Sequence, residues 1–267
     1  MAPLRQAAEG RDVAGRRAQL RARRGPLGFW FGLAVVVLRP LMMLLTRRDW
    51  RGTEHLPDGG AVVVVNHVSH SDPLVFAHFI YDNGRLPRFL AKEVLFRVPL
   101  VGRVLRGAGQ IPVFRESGNA AKAYSAAVDA VRGGELVAVY PEATLTRDPD
   151  GWPMVGKTGA ARIALATGAP VVPVAQWGPQ LLLPPYGKAP RLVPRAVMHV
   201  WAGPPVDLSD VAGRPVDAAL LREVTERIMT AITELLEQIR GEPAPAVRFD
   251  PKQSDLPRTG NPRRRSA

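Results

Sequence analysis

The chain has 267 residues, enough for one large domain with a sizeable core and short extensions, and its 46% hydrophobic content with abundant Gly and Pro reads as globular through the middle. It contains no cysteine, which excludes disulfides, thiolate nucleophiles and Cys-based zinc or iron–sulfur centres. The net charge of +12 resides in the ends: residues 1–51 carry +8, residues 240–267 carry +4 and the body between is balanced, so the expected partner is an anionic lipid surface and not nucleic acid.

Residues 1–26 are rich in Arg, Ala and Gly and poor in large apolar side chains, which predicts a basic, mobile tail. Residues 27–51 predict a membrane-associated helical segment. Its apolar run is interrupted by Arg39-Pro40 and flanked by arginines, so two short helices dipping into one leaflet are expected in place of a single span. Residues 52–240 alternate strand and helix signals. Ala61–Val65 is an apolar run bounded by Asp58-Gly59-Gly60 and Asn66, the pattern of a buried strand. A short helix follows at 73–80, with Pro73 at its first position and Ser71 or Asp72 available as cap. Further strands are expected at 109–113, 136–140, 170–175 and 196–201, and helices near 117–132 and 158–167. An amphipathic helix over 217–240 closes the domain, with Leu220, Val224, Ile228, Ile232 and Leu236 on one face. This order predicts an α/β fold, a mostly parallel or mixed sheet covered by helices. Residues 241–267 form a basic C-terminal tail in this reading.

The segment Asn66-His67-Val68-Ser69-His70-Ser71-Asp72-Pro73 sits where a strand turns into a helix. Moving an acyl group onto a hydroxyl requires removal of a proton from a poor nucleophile, and a histidine oriented by a carboxylate suits that task. His67 and Asp72 can form such a pair through the turn between strand and helix. The alternatives are that Asp72 caps the helix while His67 lies in a polar loop, or that His67, His70 and Asp72 bind a metal. The chain has only five histidines and no further acidic or histidine cluster nearby, so no metal is expected. Ser69 and Ser71 are close enough to stand as alternative nucleophiles.

Asn66-His67-x-x-x-x-Asp72 followed by Pro73 resembles the first signature of the 1-acylglycerol-3-phosphate acyltransferase family, and the resemblance continues in order. Ala91-Lys92-Glu93 with Pro99-Leu100-Val101-Gly102 resembles the next block. Gly109-Gln110-Ile111-Pro112-Val113-Phe114-Arg115 is similar to the second motif, whose arginine is held to bind the substrate phosphate. Tyr140-Pro141-Glu142-Ala143-Thr144-Leu145 resembles the third, usually Phe-Pro-Glu-Gly-Thr-Arg, and Val171-Val172-Pro173-Val174 the fourth. The resemblance covers roughly residues 52–205. It implies transfer of a fatty acyl group from acyl-CoA or an acyl carrier protein to the sn-2 hydroxyl of a lysophospholipid, with no bound cofactor and acyl-CoA as co-substrate. It makes His67 the base and Asp72 its partner, with Arg115, Glu142, Thr144, Lys92 and Lys157 placing the acceptor. Another lysophospholipid or a glycolipid is the alternative acceptor. An enzyme of this kind is expected at the cytoplasmic face of the cell membrane, held by its N-terminal segment.

Two departures stand out. Ala143 occupies the motif's glycine position, where a left-handed residue costs alanine about 1–2 kcal/mol; either the turn is not left-handed here or it is strained. Leu145 replaces the motif's arginine and removes one headgroup donor, which Arg147 or Lys157 is positioned in sequence to replace.

Overall fold

A computed structural model describes residues 27–113, 120–187 and 189–254, together with Leu20. The first element is helix α1, Phe29–Leu45, followed by strands β1 (Thr46–Arg51) and β2 (Ala61–Val65) and helix α2 (Asp72–Asp82). Next come β3 (Pro87–Lys92), two short helices α3 (Glu93–Arg97) and α4 (Val101–Gly107), and β4 (Ile111–Val113). The second half runs α5 (Ala120–Arg132), β5 (Leu136–Val139), α6 (Gly159–Thr167), β6 (Val171–Trp177), α7 (Pro179–Leu182), β7 (Ala196–Ala202) and α8 (Ala218–Arg240).

The strands form one seven-stranded sheet in the order β1-β7-β6-β2-β5-β3-β4. Every neighbouring pair is parallel except β6 with β7. The sheet is therefore mixed, with β1 and β7 running against the other five. All five residues of β2 are buried, as expected of a central strand covered on both faces. Its alternation divides the core. Val62 and Val64 pack with side chains of α5, α6 and α8, including Ala127, Ala161, Val224 and Ile228. Ala61, Val63 and Val65 pack on the other face with Val75, Phe76, Phe79 and Ile80 of α2 and Met42 of α1.

Three parts of the chain differ from the expectation. First, α1 runs as one helix of 17 residues through Arg39 and Pro40 instead of breaking into two. Pro40 removes one helical donor, but Arg39 is no isolated charge, because its guanidinium meets Asp82 Oδ1 at 3.0 Å. Among the described residues no helix is long and apolar enough to cross a membrane. Second, Thr46–Arg51, inside the segment expected to be helical, is an edge strand paired in parallel with β7 from Thr46↔Ala196 to Arg51↔Trp201. Its Arg and Asp side chains hide the strand signal and are the usual protection of a sheet edge. β3, α3 and α4 were likewise not expected: β3 is half polar and opens on Pro87, and the two helices are shorter than a periodic pattern can announce. Third, residues 241–254 pack onto the body, with Val155 N–H donating to Phe249 O at 2.9 Å and Ala244 N–H to Glu237 Oε1 at 2.7 Å. The expected mobile tails at 1–26 and beyond 254 lie, but for Leu20, outside the described residues.

Candidate active site

Because β2, β5 and β6 are parallel neighbours, with Val64 opposite Val139 and Val65 opposite Val174, their carboxyl ends emerge side by side. Parallel sheets place their sites at that end. From β2 the chain enters Asn66 and His67, from β5 Tyr140 and Glu142, and within the last turn of β6 lies Gln176. β3 and β4 are parallel to these strands, so Lys92, the last residue of β3, stands at the same end.

His67 Nδ1 lies 2.8 Å from Asp72 Oδ2. The same oxygen accepts the N–H groups of Val68 at 2.6 Å and Ser69 at 2.9 Å. Asp72 therefore reaches back into the turn and closes it; neither it nor Ser71 caps α2 through its side chain. Three donors converge on a carboxylate that only accepts, which places the His67 proton on Nδ1 and leaves Nε2 as the nitrogen able to take another. Burial pushes the Asp72 carboxyl up, opposed by the imidazole and by the Ser69 and Val68 N–H groups.

The backbone of His67 is gripped on both sides by the loop after β5. Its N–H donates to Glu142 Oε1 at 2.9 Å, and its carbonyl accepts Thr146 N–H at 2.7 Å. The other oxygen of Glu142 accepts Met154 N–H at 3.1 Å. The third motif put Glu142 among the groups that place the acceptor, and its position after a strand allowed it to hold a substrate hydroxyl or a backbone group of the site; it is only 2% exposed and both its oxygens hold main chain, so it is the backbone of His67 and Met154 that it fixes. Burial pushes its carboxyl up to about 8, against the pull of the Met154 and His67 N–H groups. Its place after a strand and the third motif pointed to Glu142 as a site residue; its partners are set by a contact across 75 positions that no local pattern carries.

Ala143 adopts the left-handed conformation at φ 58°, so the turn keeps the geometry of the motif's glycine and carries the strain. Its N–H closes the turn onto Tyr140 O at 2.9 Å. Leu145 is buried in the interior, as is Arg147, and neither side chain stands exposed at the site. Thr144 is half-buried, whereas Lys92 and Lys157 are exposed. The charge of Lys92 acts on His70, which burial and the neighbouring His67 and Lys92 charges push down. Lys157 N–H bonds Pro141 O at 2.8 Å, which brings its backbone against the third motif. Arg115 lies outside the described residues.

The two serines are committed elsewhere. Ser69 Oγ donates to Leu183 O at 2.6 Å and Ser71 Oγ to Pro179 O at 3.1 Å, tying the turn to the segment after β6. Both are buried, which removes them as nucleophiles. Among the described residues no group of three or more His, Asp or Glu side chains is arranged to hold a metal ion. Asn66, quoted with the first signature but given no role, and Gln176, not singled out from the sequence, bind each other reciprocally: Gln176 N–H to Asn66 Oδ1 at 2.7 Å and Asn66 Nδ2 to Gln176 O at 3.0 Å. This clasp locks β2 to β6 immediately before His67.

The fold is thus an α/β one with a histidine and a carboxylate held together at the carboxyl end of a mainly parallel sheet. Residues 47–177, just under half of the chain, match the sequence model of the Acyltransferase family. A 1-acyl-sn-glycerol-3-phosphate acyltransferase of Borreliella burgdorferi is 37% identical over 125 residues, 46% of this chain and 48% of that protein. The chloroplastic 1-acyl-sn-glycerol-3-phosphate acyltransferase BAT2 of Brassica napus is 30% identical over 141 residues, 52% of this chain and 39% of that protein. The matches thus span about half or less of the length of these curated relatives. The crystal structure of the 1-acyl-sn-glycerophosphate acyltransferase of Thermotoga maritima shares the fold, with a TM-score of 0.60 and 24% identity over 82% of this chain and 92% of that one.

Proposed function

We propose that the chain is a 1-acylglycerol-3-phosphate O-acyltransferase, transferring a fatty acyl group from acyl-CoA or an acyl carrier protein to the sn-2 hydroxyl of its acceptor and giving phosphatidic acid. The observation that carries this reading is the His67–Asp72 contact of 2.8 Å in a chain whose curated relatives bear that activity in their names. His67 Nε2 takes the hydroxyl proton as the acceptor oxygen attacks the thioester carbonyl. The carbon–sulfur bond breaks as the new ester forms, and the proton passes to the departing thiolate. The imidazolium formed in between is held by Asp72. No residue needs to form an acyl-enzyme, since both nearby serines donate to backbone carbonyls.

In this reading Arg115, Lys92 and Lys157 meet the acceptor phosphate, with Thr144 beside them; an arginine fork suits that anion best. Residues 52–240 form the acyltransferase domain. The segment before it brings the site to the cytoplasmic face of the membrane: α1 leaves Phe29, Val36 and Leu44 exposed, and the residues up to 51 carry +8. An apolar helix leaving such side chains in water is costly, whereas one leaflet of a bilayer covers them.

A second reading is favoured by Leu145. Where the family's usual arginine would supply a cation, this chain buries an apolar side chain at 2% exposure, which fits an acceptor with a different headgroup, another lysophospholipid or a glycolipid. A radiolabelled acyl-CoA assay offering lysophosphatidate, other lysophospholipids and glycerol 3-phosphate separates the two. Turnover should fall at least 10²-fold in His67→Ala. Undiminished turnover in that folded variant would falsify the assignment of the base.

A further inference from the structure

Between the two charged ends of the chain the body has no net charge, yet the fold sorts its charges by end of the sheet. The five strands β2 to β6 point their carboxyl ends to the side of His67 and Lys92, while β1 and β7 run the other way. Connections at the opposite end are acidic: Glu54, Asp58, Glu135, Asp207, Asp210 and Asp217 stand there against Arg85 and Arg214, of which Arg85 is buried. At the His67 end, residues 94–107 after β3 hold three arginines and no acid. Residues 181–195 after β6 also lack any acid, and Arg191 and Arg195 are exposed. The loop after β5 carries Asp148 and Asp150, but Arg240 draws it against α8 by donating to Asp150 O at 2.9 Å.

Exposed apolar side chains follow the same division. Outside α1, nine of the eleven large ones among the described residues lie at the His67 end: Leu74, five between Val94 and Val101, and three between Leu181 and Val193. Only Val216 stands exposed at the opposite end, and Val247 belongs to the segment packed on α8. Apolar side chains gathered in this way mark a contact surface. The α3–α4 turn is built to hold them out. Phe96 is buried beneath it, its carbonyl accepts Arg106 Nη1 at 2.6 Å, and Gly102 packs so closely on that carbonyl that a Cβ would not fit. Leu100, between the two helices, adopts φ 65° while 60% exposed, a strained conformation for a bulky residue that no burial of its side chain offsets. Both segments also touch α1. Gly107 packs against the Trp30 ring with no room for a Cβ, and Arg195 Nη2 donates to Met43 O at 2.6 Å and Thr46 O at 2.7 Å.

We propose that the His67 end of the sheet is itself a docking face for an anionic bilayer leaflet, with the 94–107 and 181–195 segments as its inserting edges. Their apolar side chains enter the acyl boundary, and the arginines among them meet lipid phosphates. The acidic end then faces away from the membrane. This goes beyond the proposed function, which gave membrane contact to α1, and rests on it in one respect: with His67 as the base, the acceptor reaches the site from the leaflet without crossing water.

The chain has no cysteine, so single labels report position cleanly. Val94→Cys, Leu181→Cys and Val216→Cys, each in the full chain and carrying a nitrobenzoxadiazole fluorophore, are mixed with vesicles of phosphatidylcholine and phosphatidylglycerol. Labels at 94 and 181 should brighten, shift to the blue and lose access to aqueous iodide, while the label at 216 stays quenchable. In Val94→Glu, Leu181→Glu the KM for vesicle-borne acceptor should rise roughly tenfold or more, from the lost burial of two apolar side chains. Protein that co-sediments with the vesicles but keeps all three labels open to iodide overturns the proposal, as does protein that fails to sediment at all. Shielding of 94 and 181 on raising protein concentration without vesicles also overturns it, since a second copy of the chain would then be the occupant. The labels need no turnover, so failure of the acyltransferase reading shows separately, as turnover retained in His67→Ala.

Discussion

Ala143 holds a backbone conformation, φ 58°, that an alanine adopts at a cost of about 1–2 kcal/mol. Ala143→Gly removes that cost, and the expected result is a Tm higher by roughly 2–4 °C per kcal/mol recovered, checked by thermal unfolding. Glu142 makes the opposite kind of demand. Glutamine has one oxygen to offer where the His67 and Met154 N–H groups need two, so Glu142→Gln should cost about 1–3 kcal/mol and lower turnover. The pH dependence has a definite sign. The folded value of about 8 lies above the ordinary 4.5, so the group's contribution to stability is full below about 4.5 and is lost as pH rises through about 8. Wild-type Tm, followed against that of the non-titrating Glu142→Gln, should lose ground across this range; parallel curves would mean the carboxylate is ionised throughout in the folded state.

Among the elements, α1 is latched to α2 through one carboxylate. Asp82 receives Arg39 at 3.0 Å, Arg48 at 2.9 Å and the Trp50 indole N–H at 3.2 Å, so it joins α1, β1 and the end of α2 opposite Asp72. The arginines are over a third exposed and each pair alone is worth little, but the shared, largely buried carboxylate raises the stake. Asp82→Ala should cost about 1–3 kcal/mol in denaturant unfolding. A second clamp is the Arg240 guanidinium, 3.9 Å from the Trp152 ring and 4.3 Å from the Trp177 ring. It pins the loop that carries Met154 and Thr146 against β6. How much of this was legible in the sequence follows from the same distinction. β2, β5, β6 and β7 announce themselves as apolar runs, and α8 by its stripe, because burial dictates composition. β1 and β3 stay hidden, because an edge strand and a strand opening on proline are composed for other reasons. His67 and Asp72 were visible through local spacing. Asn66–Gln176, the Glu142 grip and the Asp82 latch were not, since each joins residues that only the sheet order brings together.

For the molecule as a whole, the exposed side chains of α1 and the charge of the ends lead to one expectation about lipid surfaces. Co-sedimentation with anionic vesicles should fall sharply in a Val36→Glu, Leu44→Glu double variant, while turnover of detergent-dispersed substrate stays near wild type, because both side chains are exposed on α1 and make none of the bonds that hold His67 and Asp72. Equal binding of both proteins would assign membrane contact to another surface. The two-sided grip on His67 has a different kind of consequence. The histidine's main chain is fixed by Glu142 and Thr146, while two of the positions that depart from the motif it resembles, Ala143 and Leu145, make neither of these hydrogen bonds. In the proposed reaction this puts proton transfer and the third-motif departures on different bonds: a substitution at Leu145 can alter what lies beside the site while the main chain of His67 stays clasped.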